Sequence, residues 1–300
     1  MTTPTVGFIG IGKMGWPMTA NLVRAGFAVL PWDSDAGVRE RFAREFGVPV
    51  VGSIGALAQA PVIVTMLPTG AIVRQALTEG GADSLAEKLA PGSVVVDMSS
   101  SEPIGTQALG ELLARRGVVL VDAPVSGGVA RAVDGSLAIM IGGNDDAAIK
   151  RAEPVLKAMG QRLFRTGALG SGHAMKALNN LVSATQFGVV SEALIIGRRF
   201  GLDPAVMVEI MNASTGRSFA TEIPIKQHVL TGTFATGFAL GLMTKDVKIA
   251  AELAEGIGVP SPIGHLVHDL LARAGAEIGP QEDHTRAFTC WEKWANAGGH

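Results

Sequence analysis

Short apolar segments typical of buried strands alternate with helical patterns through the first 165 residues, and the alternation then stops. The strand-type segments lie at residues 6–10, 27–33, 61–67, 93–98, 118–121, 136–141 and 162–165, and helical patterns lie at about 69–79, 103–115 and 145–158. Continuous apolar strands that alternate with helices predict a parallel, doubly wound sheet. We therefore expect an α/β domain over residues 1–165, with ligands bound beyond the carboxyl ends of its strands.

The first strand leads directly into a glycine-rich turn, and a helical pattern follows the turn. The turn has the spacing GxGxxG and consists of Gly10, Ile11, Gly12, Lys13, Met14 and Gly15. Between a strand and a helix, the first glycine makes the tight turn and the second lets the backbone approach a pyrophosphate, while the third permits close packing of helix on strand. A bare GxGxxG also fits a flexible turn, but this context favours dinucleotide binding by a Rossmann-type domain.

Asp33 follows the second strand and lies eighteen residues after Gly15. An acidic residue at about 20 residues from the glycines usually binds the adenosine ribose hydroxyls. Because a carboxylate there repels a 2′-phosphate, the residue favours NAD over NADP. Arg39 and Arg41 are close enough in sequence to keep NADP open. Asp33 also fits a simple helix cap, although Asp35 is available for that role.

The composition excludes several classes of protein. Charged residues make up 17% of the chain, the formal net charge is -2 and there is no basic cluster, so no nucleic-acid partner is expected. The single cysteine, Cys290, excludes an internal disulfide, and the six histidines lack metal-ligand spacing, so no metal site is expected. The absence of tyrosine excludes a Tyr-Lys general acid. The first five residues show no signal-peptide pattern, so a cytoplasmic protein is expected.

From Gly170 onward the sequence shows helical patterns only, which predicts an all-helical domain over residues 166–300. Its first helix runs from about residue 174 to residue 200 and joins the two domains. Apolar residues occur nearly all round this helix, which predicts a buried central helix rather than a surface helix. Ser183, Gln186 and Glu192 interrupt it too often for a membrane span. Further helices are predicted at about 203–213, 218–230, 243–257, 262–275 and 281–297.

Two stretches carry groups that suit a small anionic substrate. Lys176, Asn179 and Asn180 share one face near the start of the long helix, because they are spaced by three and four residues. By position alone, Lys176 also fits a surface lysine that extends from an apolar helix. The loop Ser126, Gly127 and Gly128 offers backbone N–H groups and one hydroxyl that suit a carboxylate, and it equally fits an ordinary turn.

Taken together, these motifs resemble those of the β-hydroxyacid dehydrogenase family, whose members include 3-hydroxyisobutyrate dehydrogenases and tartronate semialdehyde reductases. Residues 7–15 look like the family's cofactor signature, and residues 122–128 like its substrate-binding signature. Residues 170–180 look like its catalytic signature, and Lys245 with Asp246 like its C-terminal pair. The four motifs occur in family order along nearly the whole chain.

The resemblance implies a role for each matching residue. Lys176 is the expected catalytic lysine and Asn180 the amide that orients the substrate. Further positions are implied at the cofactor (Leu67, Pro68, Ser100 and Lys245) and at the substrate (Ser126, Gly127, Gly128, Phe238 and Asp246). The chain departs from the family where Ser100 replaces a common threonine and where Arg131 replaces a usually small residue, which leaves the choice of substrate open.

The resemblance also implies a reaction, which is reversible hydride transfer between a small 3-hydroxy acid and a nicotinamide cofactor. An ordinary lysine pKa of about 10.4 is too high for a base at neutral pH, so burial beside the cofactor is expected to lower the pKa of Lys176. Homodimers or homotetramers are implied. The alternatives are a semialdehyde or glyoxylate reductase, an imine reductase, which typically lacks the lysine, and an NAD-binding sensor without turnover.

Overall fold

The computed structural model describes residues 4–297, and the chain divides into two compact units, Met1–Lys176 and Ala177–His300. We call them the sheet unit and the helical unit. The first three residues, which formed part of the signal-peptide argument, and the last three, including His300, lie outside the described residues. The domain boundary expected after residue 165 remains a prediction, and the sheet unit extends to Lys176.

The sheet unit contains one eight-stranded sheet. Its strands are β1 (Thr5–Ile9), β2 (Ala28–Trp32), β3 (Val62–Thr65), β4 (Val94–Asp97), β5 (Val119–Asp122), β6 (Val125–Ser126), β7 (Leu137–Gly142) and β8 (Gly160–Gly167). The order is β2-β1-β3-β4-β5-β7-β6, with β8 paired to β7. The first five strands are parallel to one another, which confirms the expected α/β class.

The sheet departs from the expected parallel arrangement at the edge formed by β6, β7 and β8. Strand β7 runs antiparallel to β5 and β6, and β8 is parallel to β7. The physical reason is the short connection through residues 127–136, which returns the chain beside β6 without the long crossover that a parallel neighbour requires. Strand β6 itself has only two residues and was not predicted.

Apolar residues of the central strands point alternately to two cores, which is why these strands are apolar throughout. In β3, Val62 and Val64 pack in one core and Ile63 in the other, and all are fully buried. The helices of this unit are α1 (Gly15–Arg24), α2 (Ala36–Phe46), α3 (Gly70–Thr78), α4 (Leu85–Lys88), α5 (Pro103–Ala114), α6 (Gly128–Val133) and α7 (Asp146–Met159). The short helices α4 and α6 were not predicted.

Helix α8 (Ser171–Phe200) begins in the sheet unit and continues into the helical unit. The rest of the helical unit consists of α9 (Pro204–Ala213), a π-helical segment (Thr221–Val229), α10 (Leu240–Gly256), α11 (Pro262–Ile278), a 3₁₀ turn (His284–Arg286) and α12 (Ala287–Ala297). These elements enclose one core that includes Phe187, Leu240 and Trp291. The all-helical class is confirmed, although α10 begins three residues earlier than expected.

The expectation that α8 is a buried helix is only partly correct. Ala184, Phe187 and Leu194 are buried, whereas Val182, Val189 and Ile196 are 55%, 58% and 69% exposed in the single chain. Helix α8 is long and apolar enough to cross a membrane by length and composition, and 44% of its most apolar window is buried within the protein. Core helices pass the same test. The apolar pattern on all sides therefore predicted the helix correctly, but it did not predict which faces the rest of the chain covers.

Candidate active site

The glycine-rich turn has the geometry of a dinucleotide cradle. Gly10 has a φ of +94°, and a side chain there would collide with the carbonyl oxygen of Met66. A side chain at Gly15 would collide with the carbonyl oxygen of Gly10, so the third glycine lets α1 pack against the turn. At Gly12 an added Cβ meets nothing within 4 Å among the described residues, which leaves space for a ligand beside the backbone.

The N-terminus of α1 faces the same turn. Its N-cap residue is Met14, and no side chain of the described chain caps this helix end. Backbone N–H groups in the first turn of a helix have no partner within the helix, and the helix dipole favours negative charge there. The combination of Gly12, Lys13 and this uncapped end therefore fits the pyrophosphate of a nicotinamide dinucleotide.

Asp33 lies directly beside this cradle. Its carboxylate accepts a hydrogen bond from the N–H of Ile11 at 2.9 Å and another from the N–H of Asp35 at 3.0 Å. Asp35, in turn, caps α2 through the N–H groups of its first turn, so Asp33 is not the cap of that helix. Arg39 and Arg41, which kept NADP open in the sequence, make different contacts. Arg39 donates to the carbonyl oxygen of Asp33 at 2.5 Å, whereas Arg41 stacks on the ring of Trp16.

The loops after β3 and β4 are tied to each other. The N–H of Leu67 donates to the hydroxyl of Ser99 at 2.9 Å, and Pro68 beside it is exposed. Ser100, the residue after Ser99, is half-buried. Leu67, Pro68 and Ser100 therefore lie in neighbouring loops at the carboxyl ends of adjacent strands, where a parallel sheet binds its ligands.

The loop at residues 126–128 joins the end of a strand to the start of a helix. Ser126 ends β6 and Gly128 begins α6, while Gly127 has a φ of +133° that favours glycine. The side chain of Arg131 folds back over Gly127, where it fills the space that a side chain at this position would need. At Gly128 an added Cβ meets nothing within 4 Å among the described residues.

Lys176 and Asn180 lie one turn apart on the continuous helix α8, and they therefore share a face. Lys176 is half-buried and Asn180 is buried, whereas Asn179 is exposed. The amide nitrogen of Asn179 donates to the side-chain oxygen of Asn180 at 3.3 Å. The predicted face is thus present, with Asn179 at its solvent-exposed edge.

Within the helical unit, Asn180 belongs to a buried polar group. Its side-chain nitrogen donates to the carboxylate of Asp246 at 2.5 Å, and the ammonium of Lys245 lies 3.1 Å from the other carboxylate oxygen. Lys245 and Asp246 lie inside α10, which begins at Leu240, and Asp246 is only 3% exposed. Asp246 thus orients the amide of Asn180, and Lys245 pairs with Asp246.

Phe238 contacts His284, a histidine that no sequence motif indicated as part of a site. The N–H of His284 donates to the carbonyl oxygen of Phe238 at 2.9 Å, and the two rings make an edge contact. Desolvation by burial lowers the pKa of His284, with Asp283 opposing the shift. A neutral imidazole is therefore favoured beside Phe238.

Three buried residues of the sheet unit were also missed as parts of a site. Asp97, Asp122 and His173 are each at most 2% exposed and lie close to the start of α8. Asp122 was noted only as the first residue of a motif. The available signal was an aspartate at the end of each of two adjacent apolar strands, because a buried carboxylate requires partners.

Comparisons with known proteins agree with this arrangement. A model of the NAD binding domain of 6-phosphogluconate dehydrogenase matches residues 5–167. A model described as NAD-binding of NADP-dependent 3-hydroxyisobutyrate dehydrogenase matches residues 170–291. A dinucleotide cradle in a doubly wound sheet, followed by this helical unit, defines the class of NAD(P)-dependent dehydrogenases.

Individual relatives narrow the class to a family. The chain is 35% identical to 2-(hydroxymethyl)glutarate dehydrogenase of Eubacterium barkeri, with 96% of this chain and 95% of that protein covered. A solved 3-hydroxyisobutyrate dehydrogenase of Mycobacterium tuberculosis with L-serine is 32% identical and has a TM-score of 0.88 over 96% of this chain and 99% of that one. The chain belongs to the β-hydroxyacid dehydrogenase family, whose members are oxidoreductases that act on CH–OH groups.

An imine reductase of Myxococcus stipitatus in complex with NAD⁺ is also similar in structure. Its TM-score is 0.64 at 16% sequence identity, over 96% of this chain and 99% of that one. Identity at this level supports a shared fold and nothing further.

Substituting Gly12 by alanine tests the cradle. Because the added methyl group meets no described protein atom, the melting temperature should change little. The same methyl group would occupy the space through which the pyrophosphate approaches the backbone. We expect NAD binding, measured by isothermal titration calorimetry, to weaken at least about tenfold. Gly52→Ala is the matched control, since its Cβ also meets nothing and it lies outside the turn. Equal affinity in wild type and Gly12→Ala would contradict the assignment.

Proposed function

We propose that the protein oxidises a small 3-hydroxy acid to its semialdehyde, reversibly, with a nicotinamide cofactor. The observation that carries the proposal is the pairing of Lys176 with Asn180 one helical turn away, where Asp246 fixes the amide of Asn180. A lysine beside an oriented amide suits proton transfer at an alcohol oxygen. The family of the chain agrees with this chemistry.

Lys176 is the proposed general acid and base. In alcohol oxidation its amine accepts the hydroxyl proton of the substrate, and in the reverse direction its ammonium donates a proton to the forming alkoxide. The bound cofactor accepts or supplies the hydride. Asn180 holds the hydroxyl group in line, because the hydrogen bond from its amide nitrogen to the carboxylate of Asp246 restrains the orientation of the amide.

The remaining contacts are proposed from the family pattern. Ser126, Gly127 and Gly128 hold the substrate carboxylate with one hydroxyl and backbone N–H groups, and Phe238 and Asp246 contribute to substrate binding. Leu67, Pro68, Ser100 and Lys245 contribute to cofactor binding. Lys176 disfavours the imine reductase alternative, whose members typically lack this residue, and an intact lysine and amide pair disfavours a sensor without turnover.

Replacing Lys176 by methionine tests the proposal. The change keeps the length of the side chain but removes the proton carrier, so turnover of 3-hydroxy acids should fall by about 10²–10⁴-fold. Nicotinamide absorbance measures the rate, and calorimetry should show unchanged cofactor binding. Lys248→Met, at an exposed position of α10, is the control. Absence of turnover by the wild type with all hydroxy acids and semialdehydes, despite cofactor binding, would leave the sensor as the better proposal.

We propose NAD rather than NADP as the preferred cofactor. The Asp33 carboxylate lies beside the glycine-rich turn, where it accepts the N–H of Ile11, and it opposes a 2′-phosphate by charge repulsion. Arg39 contacts the same segment through the backbone of Asp33.

Replacing Asp33 by asparagine should therefore shift the cofactor preference. Since the change removes the negative charge and keeps one acceptor oxygen for Ile11, the ratio of kcat/KM for NAD to that for NADP should fall at least about tenfold, or about 1.4 kcal/mol. Asp35→Asn is a close control, because this neighbouring carboxylate caps α2 instead. A wild type that already prefers NADP would refute the proposal.

We further propose that the protein is a cytoplasmic homodimer or homotetramer that uses the exposed face of α8. Val182, Val189 and Ile196 recur every seven residues and are all more than half exposed. Aliphatic side chains in such a stripe favour burial against another helix, and a second copy of the same chain would offer an identical one.

The double variant Val189→Asp, Ile196→Asp should shift the protein to a monomer in light scattering coupled to size-exclusion chromatography, because two charges would be buried in the interface. Ile104→Asp on α5, also at an exposed apolar position, should leave the assembly unchanged. A wild type that is monomeric at high concentration would overturn this proposal.

A further inference from the structure

The first turn of α8, which directly precedes the turn that carries Lys176, is fastened by a carboxylate from a distant part of the sequence. Asp122, the last residue of β5, is fully buried. One of its oxygens accepts the N–H of Gly170 at 2.8 Å and the other accepts the N–H of His173 at 2.8 Å. Both N–H groups lie at the N-terminal end of α8, where a helix lacks internal partners and favours negative charge.

Three glycines make this contact possible. A side chain at Gly172 or at Gly142 would collide with the carboxylate of Asp122. Gly170 has a φ of +91°, and a side chain there would contact the carbonyl oxygen of Pro103 at 2.9 Å. The glycines of the catalytic signature thus bring the helix backbone onto the carboxylate. Glycines that served only to make the chain flexible would not require this close approach.

The side chain of His173 lies between the same turn and a second buried carboxylate, and it is hydrogen-bonded to α5 rather than to that carboxylate. Its Nδ1 lies 2.8 Å from the hydroxyl of Thr106, and its Nε2 lies 3.7 Å from the carboxylate of Asp97. Asp97 ends β4 and pairs in register with Asp122. Two adjacent strands therefore end in carboxylates that both face the first turn of α8.

Asp97 also fixes the loops proposed to line the cofactor. Its carboxylate accepts the N–H of Ser99 at 3.0 Å and the hydroxyl of Ser101 at 2.7 Å. The hydroxyl of Ser99 accepts the N–H of Leu67 in the neighbouring loop. Hydrogen bonds thus join the Leu67 loop to Asp97, and the ring of His173 on α8 lies 3.7 Å from the same carboxylate, all inside the sheet unit.

We propose that Asp122 is a positioning residue for Lys176 and that His173 and Asp97 hold the lysine-bearing turn in register with the cofactor loops. The proposal rests on the proposed function, since it concerns the proton carrier of that reaction. Lys176 follows His173 by three residues, a rise of about 4.5 Å along the helix. Loosening the first turn displaces the lysine directly, and a misplacement of about 1 Å can cost about 10²-fold in rate.

The test is Asp122→Asn in the full-length enzyme with its best 3-hydroxy acid. Asparagine keeps one acceptor oxygen but turns an NH₂ group toward the second backbone N–H, so one anchor is lost. We expect kcat to fall by about 10–10²-fold, with the KM and the calorimetric affinity for the cofactor nearly unchanged. Hydrogen exchange should become faster selectively in the first turn of α8.

Asp145→Ala is the control for lost stability. Asp145 also accepts two backbone N–H groups, at 2.8 and 2.9 Å, where it caps α7 of the same unit. Losing this cap should lower the melting temperature without lowering kcat. If Asp122→Asn does not fold, Thr106→Val replaces it, because it removes the hydroxyl beside His173 and should lower kcat by about threefold to tenfold while the cofactor affinity is kept.

The outcomes separate the two proposals. A wild type without turnover would refute the proposed function itself. A wild type that turns over, together with an Asp122→Asn variant of equal kcat and lowered melting temperature, would overturn the positioning role and leave a purely structural one. If Asp122→Asn does not fold, equal kcat in Thr106→Val would have the same meaning. Reduced kcat with an intact cofactor affinity in either variant would support the role.

Discussion

The parallel pairing of β1 to β5 determines where the chemistry of this chain can lie. Because the five strands run the same way, every loop that follows a strand emerges at one edge of the sheet. Gly10, Asp33, Leu67 and Ser100 follow β1 to β4, and the loop at residues 126–128 begins at the end of β6, the short strand that comes after β5. These residues share no sequence neighbourhood, and the sheet alone collects them.

The sequence predicted the strands and helices well where their apolar residues form a run or a regular period, and poorly where an element is too short to show one. Runs of valine and isoleucine identified the buried strands, since only a strand covered on both faces tolerates an unbroken apolar run. Strand β6 and helix α6 have two and six residues, too few for a period to appear. The direction of β7 depends on the path of the connection before it. The early start of α10 was missed because its N-cap, Ala239, carries no capping side chain within the described chain.

The candidate site shows a similar division. Glycine spacing indicated Gly10, Gly12 and Gly15 because backbone geometry limits which residue can stand there. The hydrogen-bond partner of Asn180 could not be predicted from the sequence. Asp246 lies 66 positions away in the chain, and only the packing of α10 on α8 brings the two side chains together. Helix α8 illustrates a further limit. Its apolar residues predict burial on every face, and the single chain covers only some of those faces.

The Asp122 contacts also bear on the proposed role of Lys176 as a proton carrier near the start of a long helix. Helix ends fray because their first N–H groups lack partners, so a reactive group in the second turn would move with the end. Here both oxygens of a buried carboxylate occupy that position, and a charged acceptor strengthens each hydrogen bond. Burial of Asp122 is costly without such partners. The same two bonds that fix the helix end therefore also satisfy the buried carboxylate.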